Sequence, residues 1–258
     1  MRIRHHASLG LAATACLVLS GCTNAADWNA NRSSQIHSFD TSSIQAQPDI
    51  IAKLPQGALE DGVLDVAAST DYAPAEFLDP SGTAVGYDVD LTNAIAAVLG
   101  VKGKVHTAEF DSIIASIGSK YDAGISSFTV TPERTAEVDM TAYINVGSRF
   151  NVQAGNPKGV ETSDHLKLCG RTIGVQVGTA QETTMRDAAD KCAQAGKPVL
   201  SVRSYSKQSE ATTGLVGGTI DATYSDSTVA GYAVELTDGQ IVTLGEIEDA
   251  APQGVVTA

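Results

Sequence analysis

The stretch Tyr121-Asp122-Ala123-Gly124-Ile125-Ser126-Ser127-Phe128-Thr129-Val130-Thr131-Pro132-Glu133-Arg134 changes character partway along. Residues 121–125 read as a short strand, and Thr131 is suited to cap a helix that has Pro132 at its first position. A strand leading into a capped helix belongs to an α/β sheet, and such sheets hold ligands in the crevice beyond the carboxyl ends of their strands. Backbone amides, the hydroxyls of Ser127 and Thr129, and the two-pronged guanidinium of Arg134 would converge there, which suits a carboxylate. The plainer alternative is a capped helix with a surface arginine.

The same alternation extends outward in both directions. Upstream, 62–68 reads as a strand, and Asp88 opens a helix with Leu91, Ile95, Val98 and Leu99 on one face, closed by Gly100. Residues 104–110 read as a further strand, followed by a cap at Asp111 and a helix carrying Ile113, Ile114 and Ile117. Downstream, 147–153 is extended, and the pattern then starts afresh. Strands are expected at 172–177, 199–202, 221–224 and 240–244, and helices at 179–195, 206–217 and 228–234. This predicts parallel sheet covered by helices in two lobes, 49–145 and 146–248.

The first 21 residues read as an export signal. Arg2 and Arg4 precede the apolar run 9–19, which is too short to span a bilayer stably. The run ends in Leu19-Ser20-Gly21-Cys22, which resembles a bacterial lipobox. That resemblance implies a fatty acyl chain such as palmitate on Cys22 and residence on the extracytoplasmic face of the cell membrane. Residues 22–48, rich in Asn, Ser, Thr, Ala and Gln, then read as a flexible tether.

The chain has 17 Lys+Arg against 30 Asp+Glu, and loss of the signal would leave 15 cations against the same 30 acids. So acidic a protein is a poor partner for nucleic acid. Roughly 210 residues follow position 48, enough for two modest lobes. With Cys16 in the signal and Cys22 assigned to lipid, Cys169 and Cys192 remain as a pair. An oxidising compartment favours a disulfide, with two buried thiols as the alternative. No His/Cys cluster has metal-ligand spacing, and no cofactor is called for.

Several segments together resemble the family 3 bacterial extracellular solute-binding proteins, the amino-acid receptors of ABC importers. They are Gly86-Tyr87-Asp88-Val89-Asp90-Leu91, Phe110-Asp111-Ser112-Ile113-Ile114, the 121–134 stretch, Gly155-Asn156-Pro157, Gly174-Val175-Gln176-Val177-Gly178-Thr179-Ala180-Gln181 and Asp221-Ala222-Thr223-Tyr224-Ser225-Asp226. The resemblance implies a two-lobed, type II periplasmic-binding-protein-like α/β fold with the ligand in the cleft between lobes, hinged near 145–147 and 248–254, with residues 249–258 beginning a return crossover to lobe 1. It also implies a monomer that delivers its amino acid to an importer permease. Arg134 would pair bidentately with the ligand carboxylate, helped by Ser127 and Thr129. The Thr179-Ala180 turn would add backbone donors, with Gln181 nearby. Asp226 would accept from the ammonium, and Tyr72 and Phe110 would pack on the ligand stem.

Three features depart from the family pattern. Ser69 stands where many relatives carry Asp, with Asp71 two residues on; Ala180 replaces a hydroxyl residue; Ala75 is smaller than usual. Relatives also continue for several tens of residues beyond the equivalent of Ala258, so lobe 1 is expected to lack its C-terminal part. Two alternatives stay open: a dehydratase-like or cell-wall lytic enzyme on the same scaffold, with Glu76 and Glu109 as the acids to check, and a truncated, non-functional binding protein.

Overall fold

The computed structural model describes residues 38–258. The export signal, Cys22 and most of the expected tether therefore lie outside the described residues. The described end of that segment runs along lobe 1: the Phe39 amide donates to Asp90, and the Gln47 amide donates to the Val98 carbonyl. A one-turn helix α1 (Pro48–Ile51) follows.

Lobe 1 is built from β1 (Val63–Ala68), a small antiparallel sheet of β2 (Asp71–Tyr72), β3 (Glu76–Leu78) and β4 (Ala84–Val85), helix α2 (Tyr87–Leu99), β5 (Lys102–Thr107), the single turn α3 (Phe110–Ile113), β6 (Ala123–Thr129) and the single turn α4 (Pro132–Thr135). Next comes the long strand β7 (Asp139–Gln153). Lobe 2 contributes β8 (Thr172–Gln176), α5 (Ala180–Gln194), β9 (Ser201–Tyr205), α6 (Gln208–Val216), β10 (Ala222–Asp226) and α7 (Ser227–Leu236). A second long strand, β11 (Ile241–Thr257), runs back through the molecule.

These strands form one eight-stranded sheet in the order β5-β1-β6-β11-β7-β10-β8-β9. The outer triplets β5-β1-β6 and β10-β8-β9 are each parallel, as the βα alternation predicts. The two central strands run antiparallel to each other and to their outer neighbours. Both long strands therefore serve both lobes. Residues 253–257 of β11 lie beside β6, whereas 241–244 continue alongside the half of β7 that pairs with β10. The ladder is irregular between Leu244 and Ala251, where the chain passes from one lobe to the other.

Each lobe has its own core. Phe150, Leu168, Ile173, Met185 and Tyr224 are buried together in lobe 2, and Phe110, Ile113, Phe128 and Val256 in lobe 1, with Leu64, Val66, Ala96 and Ile125 on the other face. A small cluster of Tyr72, Ala75 and Val229, with Tyr87 against it, bridges the two lobes. Cys169 and Cys192 are joined as a disulfide with Cα atoms 5.6 Å apart, tying the segment before β8 to α5.

Four expected elements come out differently. The strand expected over 104–110 ends at Thr107, and Phe110 instead opens α3. The helix expected to carry Ile113, Ile114 and Ile117 is one α-turn plus a 3₁₀ turn over Ile114–Ser116, because Gly118 reverses the chain at φ 74°. The strand expected at 121–125 runs on to Thr129, since β11 pairs Gln253 with Thr129 and Gly254 with Phe128. Ser127 and Thr129 thus sit on a strand end rather than beyond it. β11 itself extends far past the expected 240–244.

Candidate functional site

Thr131 takes an extended conformation and its Oγ1 accepts the Arg134 amide at 3.3 Å, while Pro132 holds the first helical position with no amide to leave unpaired. The helix so started is a single turn, and it directs the Arg134 side chain inward. The guanidinium donates from Nη1 to the Thr129 carbonyl at 2.7 Å and from Nη2 to the Gly178 carbonyl at 3.0 Å, crossing from lobe 1 to lobe 2. It sits 5.5 Å from the ring centroids of both Phe110 and Phe128, which stack 4.8 Å apart. That range suits attraction between a cation and a ring face. Burial pulls the guanidinium pKa down while Asp226 opposes the shift; so basic a group stays charged.

Ser127 is buried with φ 51°, a left-handed conformation rarely adopted by residues with a side chain. Asp88 holds it there: Oδ2 accepts the Ser127 amide at 2.8 Å and its hydroxyl at 3.3 Å, while Tyr143 donates to Oδ1 at 2.7 Å. Beneath this lies Glu76, fully buried, accepting from Ser126 at 2.6 Å. Burial first, and the Asp88 charge second, push the Glu76 pKa well above the ordinary carboxyl range.

From lobe 2, Gly178 turns the chain at φ 76°, and Thr179 caps α5 by accepting the Glu182 amide at 3.1 Å. Glu182 reaches back to accept the Gly178 amide at 2.7 Å. The two side chains satisfy orphan donors of the helix start reciprocally, leaving the first-turn amides of Ala180 and Gln181 without intrahelical partners. Gln181 donates from Nε2 to Ser148 at 2.8 Å and to Asp226 Oδ1 at 2.7 Å. Asp226 ends β10; its Oδ2 accepts from Gln253 at 2.6 Å, and its own amide donates to the Tyr72 hydroxyl at 3.2 Å. Burial raises the Asp226 pKa to about 6, against the pull of Gln253, Gln181, Tyr72 and Arg134.

Between these groups lies a narrow cavity lined by Tyr72, Phe110, Ser127, Thr129, Arg134, Thr179, Ala180, Gln181 and Asp226. The structure brings together all nine side chains singled out from sequence. A cationic fork and a carboxylate contribute to one wall lining, with two aromatic rings beside them. The arrangement suits a small zwitterion.

Asp71 and the two candidate acids lie elsewhere. Ser69 donates to Asp71 Oδ1 at 3.0 Å, and Asp71 meets the Ser209 hydroxyl of lobe 2 at 3.4 Å. Asp71, Ser69, Glu109 and Lys207 help to line a neighbouring cavity of about 100 Å³. Glu76 lines neither cavity. Sequence reasoning missed Asp88, Tyr143, Ser148 and Gln253 as supports of the site. Asp88 lay in a quoted motif yet read only as a helix start, and Gln253 carried no local signal.

Residues 64–237 match the family described as bacterial extracellular solute-binding proteins, family 3. The arginine-binding protein ArgT of Corynebacterium glutamicum is 32% identical over 251 residues, which cover 96% of this chain and 79% of that protein. The L-cystine-binding protein TcyJ of Escherichia coli is 29% identical over 198 residues, 76% of this chain and 71% of its own length. Among solved structures, an ancestral arginine-binding protein bound to arginine superposes with a TM-score of 0.70 at 31% identity, covering 76% of this chain and 84% of that one.

Proposed function

The chain belongs to the bacterial extracellular solute-binding proteins, family 3, and from that membership we propose how it captures an amino acid for an ABC importer. It is an amino-acid-binding receptor of the extracytoplasmic space. In our reading Arg134 takes the α-carboxylate as a bidentate pair, with Ser127, Thr129 and the first-turn amides of α5 completing the anion pole. Asp226 takes the α-ammonium, and Tyr72 and Phe110 pack on the stem between. The observation that carries this assignment is that Arg134 and Asp226, from different lobes, line one cavity.

Ligand contacts from both lobes favour the closed arrangement, with motion about the paired strands near 145–147 and 248–254. The arginine-binding relatives, together with Asp71 and Glu109, which outnumber Lys207 on the wall of the adjacent cavity, support a cationic side chain directed that way. Our reading sets enzyme chemistry aside: Glu76 lies in the lobe 1 interior with Ser126 and Asp88, and among the described residues that line the Arg134 cavity Asp226 is the one acid. We also propose a monomer held at the membrane by lipid on Cys22.

Calorimetry with L-arginine, L-lysine, L-glutamine and L-cystine tests the binding assignment. L-arginine is expected to bind, and Arg134→Ala to weaken it at least about a hundredfold, the scale of a buried charge-assisted pair. Full binding by Arg134→Ala would overturn the role given to this residue. Radiolabelled palmitate incorporation by the wild type, absent from Cys22→Ser, tests the anchor.

A further inference from the structure

Gln253 occupies the part of β11 flanked on both sides, paired with Thr129 of β6 and Ile144 of β7. Its side chain is 1% exposed, and its two amide atoms meet different fates. Nε2 donates to Asp226 Oδ2 at 2.6 Å, whereas Oε1 is buried with no partner among the described residues. A carboxylate only accepts, so the nitrogen must face it. A buried, half-satisfied amide is costly, and an apolar side chain of similar length would fill the space without an orphaned oxygen. Packing alone therefore gives no reason for glutamine at this position.

We propose that Gln253 is a positioning residue for ligand recognition: together with Gln181 it grips the two oxygens of Asp226 and keeps that carboxylate charged and oriented for the ligand ammonium. This rests on the role given above to Asp226. The groups facing that carboxylate are few. Arg134 of α4 attracts it, the Tyr72 hydroxyl of β2 meets it, and Glu76 of β3 interacts with it electrostatically. Arg149 of β7 is turned to the Gly245 carbonyl instead. Burial drives Asp226 toward its neutral form, and the Gln253 hydrogen bond is the largest of the influences that oppose this. Without it the carboxyl becomes protonated nearer neutral pH, and a neutral acid offers an ammonium much less.

The test is L-arginine affinity from pH 5.5 to 8.5 for the wild type, Gln253→Leu and Gln253→Asn, whose amide is one methylene too short to reach. The wild type is expected to hold its affinity above about pH 7 and to lose about tenfold per pH unit below about pH 6. In the variants the falling limb moves up by about one pH unit, giving roughly tenfold weaker binding near pH 6 and near recovery by pH 8.5. A loss of equal size at every pH would mark a merely structural role and overturn the inference. In the ligand-free protein, the Asp226 side-chain carboxyl followed by carbon NMR must titrate higher in the variants. Equal midpoints overturn the inference whichever amino acid binds. A higher midpoint in a protein that binds none of them upholds the effect on Asp226 and removes the receptor assignment instead.

Discussion

Asp226→Asn keeps the shape of the side chain that ends β10 and removes its charge. The carboxyl titrates at about 6 against an ordinary 3.8, burial being the main cause. That rise corresponds to about 3 kcal/mol of preference for the neutral form once the pH is above both values. The folded pKa lies above the unfolded one, so the group's stabilising contribution is complete below about pH 4 and is lost as the pH climbs through about 6. Asparagine does not titrate and escapes this loss. Its amide hydrogens need an acceptor, and Gln253 can supply one by turning over its amide, because its Oε1 has no partner to give up. Urea unfolding at pH 4, 6 and 7.5 should therefore show the variant close to wild type at pH 4 and more stable by about 2–3 kcal/mol at pH 7.5. Calorimetry on the same variant should show L-arginine binding lost by at least about a hundredfold. A wild type as stable as the variant at pH 7.5, or a difference that does not grow with pH, would refute the reasoning.

Gly178→Ala should oppose closure, because a Cβ there would lie 2.8 Å from the Asp111 Cβ of lobe 1 and the residue sits at φ 76°; X-ray scattering with saturating ligand should report a larger radius than the wild type, and ligand affinity should drop. Removing the Cys169–Cys192 bridge by a double change to alanine should lower stability by about 3 kcal/mol in urea titrations, as expected for a loop of its 23-residue separation. Tyr143→Phe strips a half-buried donor from the buried Asp88 and should cost about 1–2 kcal/mol in the same assay, with weaker ligand binding as Ser127 loses its support.

What could be read along the chain is local. The Thr131-Pro132 helix start, the turn at Gly178 with Thr179 after it, and the alternation of strands and helices all depend on residues a few positions apart, and the periodicities of side-chain exposure encode them directly. The amino-acid sequence by itself thus determined two runs of parallel strands with their helices, and pointed to Ser127, Thr129 and Arg134 as one group; the other six candidate residues came from the family resemblance. The reach of β6 to Thr129, the full length of β7 and β11, and the antiparallel join between the lobes were decided by backbone pairing between segments about a hundred residues apart. Residues 139–145 of β7 do alternate, with Met140, Ala142 and Ile144 set between Asp139, Thr141, Tyr143 and Asn145, but most of them are exposed, so the alternation marks no buried face. The supports of the site have the same origin. Ser127 is held by Asp88 from 39 residues away, and Asp226 by Gln253 from 27 residues away on a strand whose own sequence reads as a hinge. Hydrogen bonds of that kind exist only once the tertiary fold removes water from both partners, and it is this burial that sets how strongly Asp226 resists carrying its charge.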